Sequence, residues 1–498
     1  MPQPTTLTDP TAQPTAQPTA QPTAQPAGPE RRERLLVIGG DAAGMSAAHQ
    51  ALRVARRAGR ELEVVALERT AYTSYSACGI PYWIAGDVAE GEDLVARDPA
   101  RHRAMGVDLR TGATATGVDL GRREVTYRDA VGEHTESYDQ LLVATGARAT
   151  VPEWARGADG EVYAGVGPVK NLDDGADWLD RLTDRPHQRV VIAGGSYIGV
   201  EMAEAAVRRG HRVTVLTRSR VMRNLEPELS RLIADTMRAA GVEVVEDAEV
   251  QSLATTSDRK VDGRVGEVTT VRGTTYPCDL VILALGVTPV TDFLVGQGLP
   301  MGESGGLRPD PRGALADGVW AAGDCCESRH RLTGEWVYLP LGTHANKQGR
   351  AAGENAAGGS LAFGGVVGTA ITRFAAAGPN ADQHYLEISR TGLSLAAAAD
   401  AGIDAEGLLT EGTTTSGYLP EAEPIAVHVV AERGTRRLLG AQIAGGHGAG
   451  KRIDAVAAAL WGGMSVDDLA WMDLAYAPPF ATAWEVVQVA ARRLAERL

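Results

Sequence analysis

Cys78 stands among small residues in S-Y-S-A-C-G-I-P-Y, Ser74 to Tyr82, and is the residue type here best suited to covalent redox chemistry. Gly79 follows it and a helical run is expected from Pro81, so the thiol falls at a helix N-terminus. There the backbone N–H groups and the helix dipole are expected to lower its pKa and favour a reactive thiolate. A lone cysteine equally fits a small buried space-filler, and its immediate neighbours do not separate the two readings. The other cysteines, Cys278, Cys325 and Cys326, are too few and too irregularly spaced for a disulfide framework or for CxxC zinc ligation, which points to a reducing cytoplasm. Adjacent cysteines bridge only with strain, so Cys325 and Cys326 are read as structural. His344 and His447 lie in glycine-rich turns without partner ligands at metal spacing, and no metal is expected.

Two glycine loops must position whatever chemistry the thiol does. Leu35 to Ile38 reads as a buried strand. It runs into Gly39-Gly40-Asp41-Ala42-Ala43-Gly44, a helix from Met45 to Arg57, and a strand from Leu62 to Leu67 ending at Glu68. Strand, glycine turn, helix, strand and terminal acid form the recipe for a dinucleotide site. The glycines admit a pyrophosphate, the helix N-terminus neutralises it, and Glu68 meets an adenosine ribose. Asp41 breaks the pattern by placing a carboxylate where the middle glycine belongs. The pattern recurs from Arg189, with Gly194-Gly195-Ser196-Tyr197-Ile198-Gly199, a helix through Arg209 and a strand from Arg212 to Leu216. Two such motifs imply two dinucleotides. The second strand ends in Thr217-Arg218-Ser219-Arg220, and Arg218 and Arg220 favour the 2′-phosphate of NADPH over NADH. The alternative is a pair of plain surface arginines.

Tyr138 to Ala147 is a buried strand turning on Thr145-Gly146, Leu280 to Gly286 is a similar strand, and Gly318 to Asp324 ends in a Gly-Asp turn able to offer a carboxylate to ribose or ribityl hydroxyls. From Gly353 onward the alternation gives way to an α+β cap, closed by an amphipathic helix from Glu485 to Leu498 whose apolar stripe wants a partner. Ahead of all this, residues 1–33 carry four T-A-Q-P units and almost nothing to bury, so a disordered tail is expected. It lacks the apolar core of a secretory signal. A net charge of −14 with pI about 5.3 disfavours nucleic acid and acidic membrane surfaces as partners, and no apolar run reaches spanning length.

Taken together, V-I-G-G-D-A-A-G-M-S-A-A, S-A-C-G-I-P-Y, L-V-A-T-G-A, G-G-S-Y-I-G-V-E, A-A-G-D, A-N-K-Q-G-R, G-V-V-G-T-A-I-T and Y-A-P-P-F make the chain resemble the FAD-dependent pyridine nucleotide-disulfide oxidoreductases. The similarity is to their single-cysteine branch of coenzyme A-disulfide reductases, NADH oxidases and NADH peroxidases. The implied fold is α/β, with two Rossmann-like dinucleotide-binding domains, for FAD and NAD(P), plus a C-terminal α+β dimerisation domain. The implied boundaries are 34–158 and 277–350 for the FAD domain, 159–276 for the NAD(P)H domain and 351–498 for the interface domain. The cofactors would be FAD and NADPH, or NADH.

The resemblance also implies roles. FAD would lie over Gly39, Gly40, Ala43 and Gly44, with Glu68 on its adenosine ribose, Asp324 on its ribityl chain and Thr145-Gly146 beside it. The pyridine nucleotide would use Gly194, Gly195 and Gly199, gated by Tyr197, with electrons passing through the flavin to Cys78. Ala42 stands where oxidases and peroxidases carry a histidine, which favours a mixed disulfide over a sulfenic acid as the oxidised state. Tyr418 and Tyr476 match the tyrosines that serve departing thiolates in coenzyme A-disulfide reductases. Ser46, Gln50, Arg53, Ser74 and Arg101 match coenzyme A contacts, while Ala77 and Trp484 replace an asparagine and a lysine. The expected protein is therefore a disulfide or persulfide reductase, a homodimer whose tyrosines act on the partner subunit's thiol. Trp461, Trp471 and Trp484 would be cap core or dimer interface, and no rhodanese-like extension is expected. The alternatives are an NAD(P)H oxidase using O₂, and a flavin-based redox sensor.

Overall fold

A computed structural model describes residues 32–255, 264–376 and 384–498. The T-A-Q-P stretch lies outside them.

Strand Glu33–Ile38 is flanked on both sides by parallel partners, with Val37 opposite Ala66 of strand Leu62–Glu68 and opposite Leu142 of strand Gln140–Val143. Leu35, Leu36 and Val37 are all buried, as a central parallel strand covered on both faces requires. Val107–Thr111 extends the six-stranded sheet at one edge; Val319–Ala321 and then Ala314–Ala316 extend it at the other. Val319–Ala321 pairs parallel to Gln140–Val143, so the chain leaves this sheet after Val143 and returns about 175 residues later to complete it.

The excursion builds a second sheet of five parallel strands, in the order Glu243–Val245, Arg212–Leu216, Arg189–Ala193, Leu280–Leu283, Val166–Pro168. Each of these two sheets, the first parallel except for its antiparallel edge strand Ala314–Ala316, carries one glycine loop at the carboxyl end of a central strand, and both loops lead into helices, Ala42–Arg57 and Tyr197–Arg208. Such a carboxyl edge, where the connections diverge, is where ligands enter open α/β sheets.

Helix Gly342–Ala356 crosses helix Ala42–Arg57 at very close range. A Cβ on Gly349 would lie 2.2 Å from the Ala43 carbonyl oxygen, and one on Gly353 2.2 Å from that of Ala47. Small residues on both helices are thus the condition for docking the Asp324 region onto the first loop.

The C-terminal unit is a five-stranded antiparallel sheet in the order Ala370–Ala375, Tyr385–Gly392, Leu438–Gly445, Pro424–Glu432, Ala405–Thr413. All eight residues of Leu438–Gly445 are buried. The terminal helix runs Val486–Ala495, capped by the Glu485 carboxylate at 2.7 Å from the Val487 nitrogen. Its stripe of Val486, Val487, Ala490, Ala491 and Leu494 finds its partner in this same sheet. The three tryptophans do not form the cap core: Trp461 is 46% exposed, Trp471 72% and Trp484 41%. Among the described residues no helix is long and apolar enough to cross a membrane.

Candidate active site

The first loop has room for backbone and nothing more. Gly39 adopts φ +107°, and a Cβ there would meet the Ala144 carbonyl oxygen at 2.1 Å; on Gly44 it would meet the Gly39 oxygen at 1.8 Å. Ala43 packs beneath Gly323, which precedes Asp324. Glu68 ends its strand buried and accepts from the Gly40 nitrogen at 2.8 Å, the Thr70 nitrogen at 2.8 Å and the Thr70 hydroxyl at 2.7 Å. Thr145 donates to the Val290 carbonyl at 2.6 Å, and Gly146 turns at φ +68°.

Asp324 closes the far side. Its carboxylate lies 3.5 Å from Lys170 Nζ, its backbone oxygen accepts from the Tyr338 hydroxyl at 2.9 Å, and the neighbouring Gly323 nitrogen donates to Gln348 at 2.8 Å. No sequence motif singles out Lys170, which the fold brings to Asp324 from 154 positions away.

Cys78 sits in the short turn Ala77–Gly79 directly ahead of helix Ile80–Ala85, as the glycine and proline spacing predicts. Its electrostatics run opposite to expectation. Cys78 is exposed, yet the protein packed around its thiol desolvates it enough to push the pKa up. Glu201 and Asp324 push the same way and Lys170 pulls down. A helix of six residues has little dipole to set against two carboxylates and desolvation.

Glu201 closes the G-G-S-Y-I-G-V-E motif, which by itself gives this carboxylate no role. It lies one turn beyond Tyr197 on helix Tyr197–Arg208 and accepts a 2.7 Å hydrogen bond from Thr372 of the C-terminal unit. Burial pushes its carboxyl up to about 7, against the pull of Thr372. Close by, Glu204, with 2% of its side chain exposed, accepts from Arg208 at 3.1 Å, Arg373 at 3.2 Å and the Ala375 nitrogen at 3.0 Å. Asp87, just past helix Ile80–Ala85, pairs with the same two arginines. The thiol helix, the second-loop helix and the C-terminal sheet therefore meet in one charged cluster.

At the second loop Gly194 takes φ +114°, with a Cβ barred by the Ala284 oxygen at 2.3 Å, and a Cβ on Gly199 would meet the Gly194 oxygen at 2.1 Å. Gly195 is less tight, 3.3 Å from Thr217 Cβ, and Tyr197 opens the helix. The two arginines part ways. Arg220 donates to the Leu225 carbonyl at 2.9 Å and the Arg223 carbonyl at 3.3 Å, stapling its own loop, while Arg218 is exposed at the strand end.

The remaining positions divide between surface and interior. Arg53 and Arg101 are exposed. Ser46 Oγ donates to Asn346 at 2.8 Å, whereas Gln50 is only 2% exposed and turned onto Glu354. Ser74 has the left-handed φ of 50°, and its hydroxyl lies 3.0 Å from His102 Nε2, whose Nδ1 is 2.7 Å from His49. Tyr418 and Tyr476 are 74% and 51% exposed on the C-terminal unit. Their loops are joined by the Ser416 nitrogen donating to the Pro478 carbonyl at 3.0 Å, and Phe480, 75% exposed, stands beside them. Cys325 and Cys326 are buried with sulfurs 3.8 Å apart. His447 stacks on Tyr385 and pairs with Glu423.

Residues 33–349 match the pyridine nucleotide-disulphide oxidoreductase family model, and residues 384–487 match that family's dimerisation domain. The chain is 34% identical over 473 residues to the NAD(P)H coenzyme A polysulfide/persulfide reductase of Pyrococcus horikoshii, covering 94% of this chain and 99% of that protein. Among solved structures it resembles an NAD-dependent persulfide reductase from A. fulgidus, with TM-score 0.84 and 31% identity, covering 93% of this chain and 83% of that one. It also resembles an engineered NADPH oxidase bound to NADPH, derived from the Lactobacillus brevis enzyme, with TM-score 0.84 and 26% identity over 93% of this chain and 98% of that one. The residues present fit the family's flavin: a cradle at Gly39, Gly40 and Gly44 that any Cβ would fill, with buried Glu68 closing the adjoining strand and Asp324 following the Gly323 turn that packs on Ala43. With two dinucleotide loops on two parallel sheets, a thiol between them and this similarity along nearly its whole length, the chain belongs to the pyridine nucleotide-disulphide oxidoreductases, enzymes that use FAD and NAD(P)H.

Proposed function

We propose that this protein reduces a low-molecular-weight disulfide or persulfide of the coenzyme A kind with NADPH, through Cys78 as its redox-active sulfur. The observation that carries this reading is the placing of Cys78 among Lys170, Glu201 and Asp324, charges drawn from the connection between the two sheets, the second-loop helix and the flavin turn. The bound flavin supplies a two-electron relay between nicotinamide and sulfur. Everything else falls to side chains. Lys170 is the counter-charge for a Cys78 thiolate, and burial keeps the thiol protonated until a substrate arrives. The thiolate attacks one sulfur of the substrate disulfide, forming a mixed disulfide and expelling one thiolate. Two electrons then cleave the mixed disulfide, and two protons complete two free thiols per NADPH oxidised.

Tyr418 and Tyr476 are the proton donors for the leaving thiolates. Their joined, exposed loops on the dimerisation domain support delivery to a second copy's cleft, and with Trp471, Phe480 and Trp484 they form the face a homodimer would bury. Arg53 and Arg101 are cations for substrate phosphates, and Ser46 and Ser74 line the same approach. NADPH preference rests on Arg218. The engineered oxidase carries Ala-Arg-Ser in place of Asp-Ala-Met at three consecutive positions, and this chain reads Thr217-Arg218-Ser219 at the end of its strand. Four free cysteines suit a cytoplasmic setting. A second reading, NAD(P)H oxidase activity toward O₂, is favoured by the similarity to oxidases.

The test is anaerobic turnover of NADPH with coenzyme A disulfide and with coenzyme A persulfide. Rapid turnover that falls to background in Cys78→Ser is expected. Undiminished disulfide turnover in that variant would overturn the mechanism, and NADPH oxidation only when O₂ is admitted would select the oxidase.

A further inference from the structure

The first glycine loop carries a carboxylate with an unpartnered oxygen. Asp41 occupies the N-cap of helix Ala42–Arg57, yet its side chain makes no cap hydrogen bond. Its Oδ1 is sealed from solvent and has no hydrogen-bond partner. The backbone N–H groups of Ala42 and Tyr75 face the carboxyl without closing a hydrogen bond, the Tyr75 phenol lies within its electrostatic reach, and Glu68, at the end of the adjoining strand, is its carboxylate neighbour. Glu68, an acceptor for the Gly40 nitrogen and Thr70, adds like charge beside it and no donor. The cation that acts on Asp41 is Lys170, and it lies 3.5 Å from the competing carboxylate of Asp324. Two acids and a shared lysine thus border the cradle that takes the FAD diphosphate, itself doubly negative.

A carboxylate so placed has one inexpensive way to admit a diphosphate, which is to become neutral. A proton on Oδ1 removes the like-charge repulsion and supplies a donor at the atom that lacks a partner. We propose that Asp41 is a proton-binding residue of the flavin site, taking up a proton as the FAD diphosphate settles, so that this protein holds FAD more tightly in mild acid than in mild alkali. Without cofactor, burial and Glu68 already push the carboxyl up to about 6. A bound diphosphate pushes it further. In the window above 6 each FAD that binds brings a proton with it, and affinity falls up to about tenfold per pH unit. By reciprocity the same coupling makes flavin loss a route by which the loop sheds its proton. The inference does not depend on which disulfide the enzyme reduces.

The experiment is rebinding of FAD to flavin-stripped protein, followed by quenching of flavin fluorescence from pH 5.5 to 8. The FAD diphosphate does not titrate in this range, so any dependence belongs to the protein. For the unaltered chain the Kd is expected to rise several-fold to tenfold per unit above pH 6. Asp41→Asn should bind as tightly at pH 8 as the unaltered chain does at pH 5.5, with a flat profile. A flat profile in the unaltered chain, or an undiminished slope in Asp41→Asn, overturns the proposal. Proton uptake by the unaltered protein in weak buffer at pH 7 needs no variant: close to one proton per FAD bound is expected, and none would be fatal to the idea.

Discussion

Replacing Glu201 by Gln keeps the side chain's shape and its ability to accept from Thr372, and removes the charge. In the unfolded chain this carboxyl titrates near its ordinary 4.5; in the folded protein burial holds it at about 7. Across that window the folded state binds the extra proton, so raising the pH through it weakens folding. At about 1.4 kcal/mol per unit the full effect is on the order of 3 kcal/mol, trimmed by the part of Glu201 that solvent reaches. Glu201→Gln should therefore gain on the unaltered protein by about 2–3 kcal/mol between pH 4.5 and pH 7, then run parallel to it. Comparing the two urea midpoints at pH 5 and pH 8 isolates this group, because Asp41 titrates in the same direction in both proteins. The charge also acts on Cys78, so the variant's thiol should be more acidic and alkylate faster at pH 7. A midpoint difference that does not change with pH, together with an unchanged alkylation rate, would refute both the buried charge and its reach to the sulfur.

Gly349→Ala would place a methyl 2.2 Å from the Ala43 oxygen. The gain in helix propensity, about 1 kcal/mol, is outweighed by overpacking of about 1–3 kcal/mol or more, so a lower melting temperature and faster flavin loss are expected. Arg218→Ala should raise the KM for NADPH about tenfold while leaving that for NADH unchanged, from the loss of one charged phosphate contact worth about 1–3 kcal/mol. Steady-state kinetics with both nucleotides decides it, and equal effects on the two would locate Arg218 away from the 2′-phosphate. Arg373→Ala takes one of three donors from the buried Glu204, and a loss of about 1–3 kcal/mol is expected in the urea midpoint. No loss would mean that Arg208 and the Ala375 nitrogen suffice.

The legible part of this protein is the part whose physics is local. A strand that must turn at once into a helix without colliding with its own backbone has to carry Gly39 and Gly44, or Gly194 and Gly199, so both nucleotide loops can be read from short windows of residues. The short turn and helix that carry Cys78, the buried strands and the terminal helix are legible for the same reason. What windows do not carry is the company a charge keeps. Lys170 meets Asp324 across 154 positions, Thr372 meets Glu201 across 171, and Arg373 meets Glu204 across 169. The expectation of an acidified thiol at Cys78 failed on this point, because the helix dipole is a local property whereas the desolvation and carboxylates that outweigh it arrive from distant stretches. Arg218 and Arg220 look alike as text and differ once folded, one open to solvent and the other spent on the carbonyls of its own loop. Residue type and spacing settle which backbone shapes are possible and so where two dinucleotides and a reactive sulfur can be housed. Burial and long-range charge settle how that sulfur titrates and which acids stay neutral, and both depend on distances that only folding brings down to a few ångströms.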